Sequence, residues 1–413
     1  MINKKYNITE ILVLIGVFIL LFFSSDPVMY PDSNRYLAQS LHDPPLYSLM
    51  INTMQLIFGN LNSVIVFQTL LISFSIIYFS RTLTIHFNLD IPTKTIIVFF
   101  LFFPILQFYN HLLTEPICYA FSIFFVSFVI KLIYNLNIQN IIWSSIFVIL
   151  LVLTRNQFLF LYPVVLLLYL GIFILYNSKK ILTFLIISFL SIFIIHNLSI
   201  SFNKYKKMDY FENKSVSNNN QGIFFFTYID SIYVSSNKDI ELFENQNLRN
   251  TVDKIFKEME NKKALIKYYD NRGHFSSSLK EIRYYSDTLL EDLAFKENTT
   301  IINLKKEISI KLIAANYKTY IKHIFKKFYD STWLFIFVPF FMMLASLVSF
   351  IKYKSKYSLL ILFLSIFTLS NHSVIYLFGR VQPRYFIYTD FILLIFIFIT
   401  FLFFFKKREI VFK

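Results

Sequence analysis

The chain has 413 residues, of which 56% are hydrophobic and only 16% charged. A soluble globular chain carries about 25% charged residues, so this composition excludes an ordinary soluble domain and reads as a multi-span membrane protein. The net charge of +15 does not mark a nucleic-acid binder, because the lysines lie where membrane topology puts them; the single Cys118 rules out an intramolecular disulfide and a cysteine metal cluster.

Residues 1–23 resemble a signal peptide, with Lys4 and Lys5 ahead of an apolar run. No small-x-small cleavage site follows, so the segment is expected to remain as a first span. Further apolar segments lie at 61–80, 95–109, 117–134, 141–154, 157–176, 181–200, 331–350, 358–378 and 385–405. Several fall short of the ~20 residues that a perpendicular crossing needs, so tilted or partly interfacial spans are expected. Residues 44–58 are apolar too, but the stretch is short and opens on Pro44 and Pro45, which suits a helix lying against the membrane surface.

Basic residues in short loops orient the bundle. With the N-terminus inside, the cytoplasmic connections carry Lys4, Lys5, Arg81, Lys94, Lys131, Lys179, Lys180, Lys352, Lys354, Lys356, Lys406, Lys407 and Arg408. The opposite short loops hold no lysine, only Arg35, Arg155, Arg380 and Arg384. About ten spans with both termini inside satisfy this pattern. A guanidinium grips phosphate with a planar fork and stays charged when partly desolvated, so these arginines suit a phosphorylated lipid as well as simple anchoring in headgroups.

The expected domains are a transmembrane module at 1–200, with its first external loop at 24–60; an outer, mostly helical insert at 201–330; and closing transmembrane helices at 331–413. Within the insert, residues 203–220 are polar and read as a loop. Helix formers predominate at 239–269 and 279–295, and residues 298–329 have helical apolar spacing, ending in a basic amphipathic stretch that leads into the next span.

The first external loop concentrates ionisable groups: Tyr30-Pro31-Asp32-Ser33-Asn34-Arg35-Tyr36, then His42-Asp43-Pro44-Pro45-Leu46-Tyr47. Carboxylates beside a bilayer are costly unless solvated or paired. A helix starting at Asp32 would run to about His42 and bury Leu37 and Leu41. A plain structural role also fits, with Asp32 as N-cap and Arg35 as its partner. Thr114-Glu115-Pro116 likewise suits a helix start, with a Thr cap and an acid at the positive dipole end. His111 and His42 beside Glu115 and Asp43 leave a metal site conceivable but without fixed ligand spacing, and Asp390 is placed to pair with Arg384.

These motifs resemble the first external loop of GT-C glycosyltransferases, among them the lipid A aminoarabinose transferases, RgtA/B/C/D-like sugar transferases and, more distantly, protein O-mannosyltransferases. Leu113-Thr114-Glu115-Pro116, Leu153-Thr154-Arg155 through Pro163, and Arg380-Val381-Gln382-Pro383-Arg384-Tyr385 follow in that family's order. The resemblance does not touch residues 201–297, and Ser33 stands where some members carry a second acid. It implies a GT-C-type all-α polytopic bundle in a bacterial inner membrane, with juxtamembrane helices in the first loop and the active site on the extracytoplasmic face. It implies inverting transfer of a sugar from a polyprenyl-phosphate donor to a lipid, glycan or protein acceptor. Asp32 is then the expected base, with Asp43 and Glu115 beside it as catalytic carboxylates. Arg384, Arg380, Arg155 and Tyr385 would hold the donor phosphate, and Arg35, Tyr36, His42 and Tyr47 would orient substrate. No metal ligand set is assigned, although a divalent metal stays open. The alternatives are a polysaccharide polymerase or ligase, and a flippase or transporter of lipid-linked saccharide. Transporters place charge near mid-membrane in two related halves, whereas these span centres carry essentially none.

Overall fold

The computed structural model describes residues 8–22, 26–38, 43–211, 224–265, 275–378 and 383–405. Those residues are helical almost throughout, with an isolated bridge between Val28 and His111 in place of any sheet. In chain order the helices are α1 (Ile8–Phe22), α2 (Pro31–Leu37), α3 (Pro45–Phe58), α4 (Asn62–Phe87), α5 (Ile91–Phe102), α6 (Glu115–Tyr134), α7 (Ile138–Thr154), α8 (Leu161–Tyr176) and α9 (Lys179–Phe211). They continue with α10 (Phe224–Val234), α11 (Gln246–Asn261), α12 (Phe275–Lys296), α13 (Ile301–Ala315), α14 (Tyr317–Tyr353), α15 (Lys356–Phe378) and α16 (Ile387–Phe405). The chain divides into two compact units, one of Met1–Asp209, Phe337–His372 and Gln382–Lys413, the other of Tyr210–Ile336 and Ser373–Val381.

Each of the expected apolar crossings is helical: α1, α4 to α9 and α14 to α16. Among the described residues six segments are long and apolar enough to cross a membrane, at Asn62–Phe87, Glu115–Tyr134, Asn156–Tyr176, Ile181–Ser199, Ile336–Tyr353 and Lys356–Leu377. Ile91–Phe102, Ile138–Thr154 and Ile387–Leu402 are apolar but shorter. The protein is thus an all-α polytopic membrane protein. A hydrocarbon interior supplies no partners for backbone N–H and C=O groups, and helices satisfy both within one segment. Local chemistry sets the ends. Asp90 accepts the Thr93 N–H at 3.1 Å to start α5, while Gly59 at φ 74° and Asn88 at φ 49° end α3 and α4 in the left-handed conformation that these two residue types tolerate.

The first unit has two chemically distinct poles. At one, Glu10 of α1 accepts from Arg81 of α4 at 2.7 and 2.9 Å, with Lys94 of α5 3.6 Å away. Lys131 near the end of α6 donates to Tyr78 of α4 at 2.7 Å on the same side. The first turn of α6 and the end of α7 therefore lie at the other pole, where Glu115 and Arg155 are found. Lys94 and Lys131 share the first pole with Arg81, and Arg155 and Arg384 meet at the second.

The second unit packs Tyr228, Ile232, Val252, Phe256, Met259, Leu290, Ile308 and Leu312 into one core, drawn from α10 to α13. Inside it Asp230 is fully buried and accepts from Lys327 at 2.6 Å, with His323 Nε2 3.2 Å from its other oxygen. Two details differ from the sequence reading. The polar stretch beginning at 203 continues α9 to Phe211. The helix former stretch from 239 opens with a 3-10 turn, Asn237–Leu242, ahead of α11.

Candidate active site

The site begins with the segment leaving α1. The Val28 N–H donates to the Asn110 carbonyl at 2.9 Å, and the Leu112 N–H donates back to Val28 at 3.1 Å. Ser33 finishes the splice: its Oγ accepts the Tyr30 N–H at 2.9 Å and donates to the Leu112 carbonyl at 2.7 Å, with the residue fully buried. Beneath it, the Tyr47 hydroxyl donates to Gln68 Oε1 at 2.7 Å, and Gln68 Nε2 donates to the His111 carbonyl at 3.3 Å. Tyr36 meets Tyr47 edge to face at 5.0 Å, a pair worth about 0.5–1.5 kcal/mol beyond area burial. These contacts bring the first turn of α2, which carries Asp32, against the start of α6, which carries Glu115.

Glu115 is 2% exposed. A carboxylate so placed needs paired charge, because burying an ion alone costs several kcal/mol. Two guanidinium groups converge on its Oε1, Arg155 Nη1 at 3.1 Å and Arg384 Nε at 3.3 Å. The second is an ion pair without hydrogen-bond alignment, for the buried Arg384 Nε makes no hydrogen bond. Arg384 Nη2 reaches 3.7 Å from Asp32 Oδ2 and donates to the Tyr385 hydroxyl at 3.1 Å. The Tyr385 ring faces both cations, with its centroid 4.3 Å from Arg155 Cζ and 5.1 Å from Arg384 Cζ. Arg155 also donates to Tyr388 at 3.1 Å and to Thr114 at 3.3 Å. On the solvent-exposed side, Arg35 donates to Asp43 at 3.0 Å and lies 3.7 Å from Asp32. Asp32, Asp43, Glu115, Arg35, Arg155, Arg384 and Tyr385 thus form one connected group.

The electrostatics follow from this packing. Burial works against the Arg384 charge, but Glu115 and Tyr385 together outweigh it and hold the guanidinium above its ordinary pKa. Burial pushes the Tyr36 hydroxyl upward, so it stays protonated and neutral. His111 is lowered by burial, with Arg384 acting in the same direction and Glu115 against it, so the ring is neutral at pH 7.

Several expectations need correction. Thr114 does not cap α6 with its side chain; its hydroxyl donates to Glu115 Oε2 at 3.3 Å and accepts from Arg155. Asp32 is not the N-cap of α2, a position held by Tyr30, and α2 stops at Leu37. Arg35 takes Asp43 as its closer partner and Asp32 only at longer range. Asp390 pairs with His372, whose Nε2 is 2.7 Å away, and not with Arg384. His42, Leu41 and Arg380 lie outside the described residues. Tyr47 is buried and touches the group through Tyr36. Among the described residues no three His, Cys, Asp or Glu side chains gather as a cation-binding set. The described carboxylates of the site face guanidinium groups.

Four contributors escaped the sequence reading: Thr114 as a site residue, Tyr388, and the amides Gln157 and Asn371, which donate to the Tyr385 carbonyl. Gln157 and Asn371 were detectable in principle as amides at or within apolar spans, which demand a partner. Tyr388 joins the site through Arg155, a partner far away in the chain that no local spacing marks.

No family model matches the sequence, and no curated protein matches it. Among solved structures, the protein is similar to ArnT from Cupriavidus metallidurans in the apo state, with 11% identity and a TM-score of 0.38 over 90% of this chain and 77% of that one. At that identity the likeness carries no side-chain roles across.

Proposed function

We propose that the protein is an integral membrane glycosyltransferase that moves a sugar from a polyprenyl-phosphate donor to an acceptor hydroxyl, with inversion at the anomeric carbon. The observation that carries this reading is the meeting of Asp32, Glu115, Arg155 and Arg384 at the arginine pole. A carboxylate open to solvent stands beside cations suited to a phosphate, as displacement at a sugar phosphate requires.

In the proposed reaction, Asp32 takes the acceptor hydroxyl proton as its oxygen bonds to the anomeric carbon. The bond from that carbon to the phosphate oxygen breaks, its electron pair stays on the phosphate, and negative charge grows there. Arg384 and Arg155 stabilise that charge, since preorganised cations act most strongly where charge develops in a poorly hydrated site. Tyr385 holds both guanidinium groups in place. Asp32 is 37% exposed along its side chain, which suits a group that must meet an incoming acceptor. Asp43, Arg35 and Tyr36 shape the acceptor side. Glu115 keeps the two cations together before the donor arrives, and its burial suits this better than proton transfer.

The arginine pole is assigned to the extracytoplasmic face from the distribution of lysines in short loops. The acceptor is a lipid, a cell-envelope glycan or a protein.

The experiment is turnover by the purified chain in lipid nanodiscs with radiolabelled sugar on a polyprenyl phosphate. The reading requires release of polyprenyl phosphate with label on acceptor or water, abolished in Arg384→Ala. A chain that carries the intact donor across vesicles without consuming it is a transporter, and the reading is then wrong.

A further inference from the structure

Arg384 and Tyr385 precede α16 in a 3-10 turn, Pro383–Tyr385, and do not belong to the helix. An unbroken helix would take the Tyr385 carbonyl as acceptor for the Thr389 N–H. Here the Thr389 and Asp390 N–H groups both donate to the Phe386 carbonyl at 3.1 Å, which leaves the Tyr385 carbonyl outside the ladder. Two side-chain amides take it up. Asn371 Nδ2 of α15 donates to it at 3.0 Å, and Gln157 Nε2, in the turn that opens α8, donates at 3.3 Å.

The amides also fix one another. Gln157 Nε2 donates to Asn371 Oδ1 at 2.6 Å, and Asn371 Nδ2 donates to Thr389 Oγ1 at 3.2 Å. A carbonyl oxygen can only accept, so both amides must turn nitrogen toward Tyr385, and the pattern admits one orientation of each. Asn371 is fully buried within a membrane-spanning helix, where an amide without such partners would be costly.

We propose that Gln157 and Asn371 are positioning residues: by holding the Tyr385 carbonyl they keep Arg384 and Tyr385 out of α16 and set the Arg384 guanidinium against Glu115. Without them the carbonyl is released to accept the Thr389 N–H, which lengthens α16 and draws Arg384 away from Glu115 and Asp32. The inference rests on the reading of Arg384 as a ligand of the donor phosphate.

The test uses the full chain in nanodiscs with two probes, farnesyl phosphate and farnesol, and reads the ratio of their affinities. General loosening of the bundle would affect both probes, whereas a displaced guanidinium affects only the phosphate. Wild type should favour the phosphate, and Arg384→Ala should cut that preference roughly tenfold or more, the scale of a lost charge-assisted hydrogen bond. Gln157→Leu and Asn371→Leu should each lower it in the same direction. Combined with Arg384→Ala they should add little, because residues acting through one group are not additive. Folded variants that keep the wild-type ratio, or losses that multiply with Arg384→Ala, overturn the proposal. Gln157→Leu, at a helix start, serves if Asn371→Leu does not fold. If Arg384→Ala itself leaves the preference intact, the phosphate contact falls, and amide exchange over residues 383–390 still decides the clamp. Exchange unchanged in both leucine variants would then reject it.

Discussion

Arg384 stands 3.7 Å from Asp32, its Nη2 toward Oδ2, although one residue precedes the last described helix and the other follows the first. The pair is too long for a strong hydrogen bond and both side chains are partly exposed, so each is available to a ligand. Asp32→Asn keeps the shape and removes the base. In the proposed reaction it should lower turnover by about 10²–10⁴-fold while donor affinity stays near wild type. A folded variant transferring sugar at the normal rate would strip Asp32 of that role.

Glu115 has a different part, as the buried counter-ion of two cations. Glu115→Ala should destabilise the chain by about 3–5 kcal/mol, because two guanidinium groups are left facing each other. Unfolding in detergent, followed by circular dichroism, measures this. An unchanged midpoint would mean that the ion pairs contribute nothing to stability.

Arg384→Lys separates charge from geometry. Lysine keeps the positive charge but cannot touch Glu115, Asp32 and Tyr385 at once, as the planar fork does. Donor KM should rise in the lysine variant and rise further in Arg384→Ala. Equal KM for Arg and Lys would show that a point charge suffices.

Ser33 concerns assembly of the site. Ser33→Ala leaves the Leu112 carbonyl and the Tyr30 N–H without their buried partner, at a cost of about 1–3 kcal/mol. Ser33→Asp should be worse, since it buries a charge. Melting temperatures of both variants, set beside wild type, check the order.

In the second unit His323 provides a pH dependence. Burial holds its pKa below 6.5 and Lys327 and Lys326 act in the same direction, while the Asp230 hydrogen bond opposes them. The folded state therefore binds fewer protons than the unfolded chain between the depressed pKa and about 6.5. The resulting stabilisation is complete above the unfolded value and is lost as pH falls through the folded one. Melting temperature should drop from pH 7 to pH 5, with a shallower slope in His323→Gln. Parallel slopes would remove His323 as the cause.

Much of this architecture was legible without coordinates. Long apolar runs become helices because a bilayer leaves the backbone no other partner, and the lysines of the short loops marked one pole. The cluster around Asp32, Glu115, Arg155 and Arg384 was expected from the resemblance of their motifs, in that order, to one family.

Local pattern could not choose partners. Spacing suggested Asp390 for Arg384 and Thr114 as a cap; packing gave Asp390 to His372 and turned Thr114 toward Arg155. Asn371 could be seen to need a partner, but which one depends on a carbonyl that α16 leaves out of its ladder. Helix formation is settled between residues a turn apart, and the sequence by itself determined it. Which charges meet is settled by how helix ends converge across the bundle, and only the tertiary structure decided that.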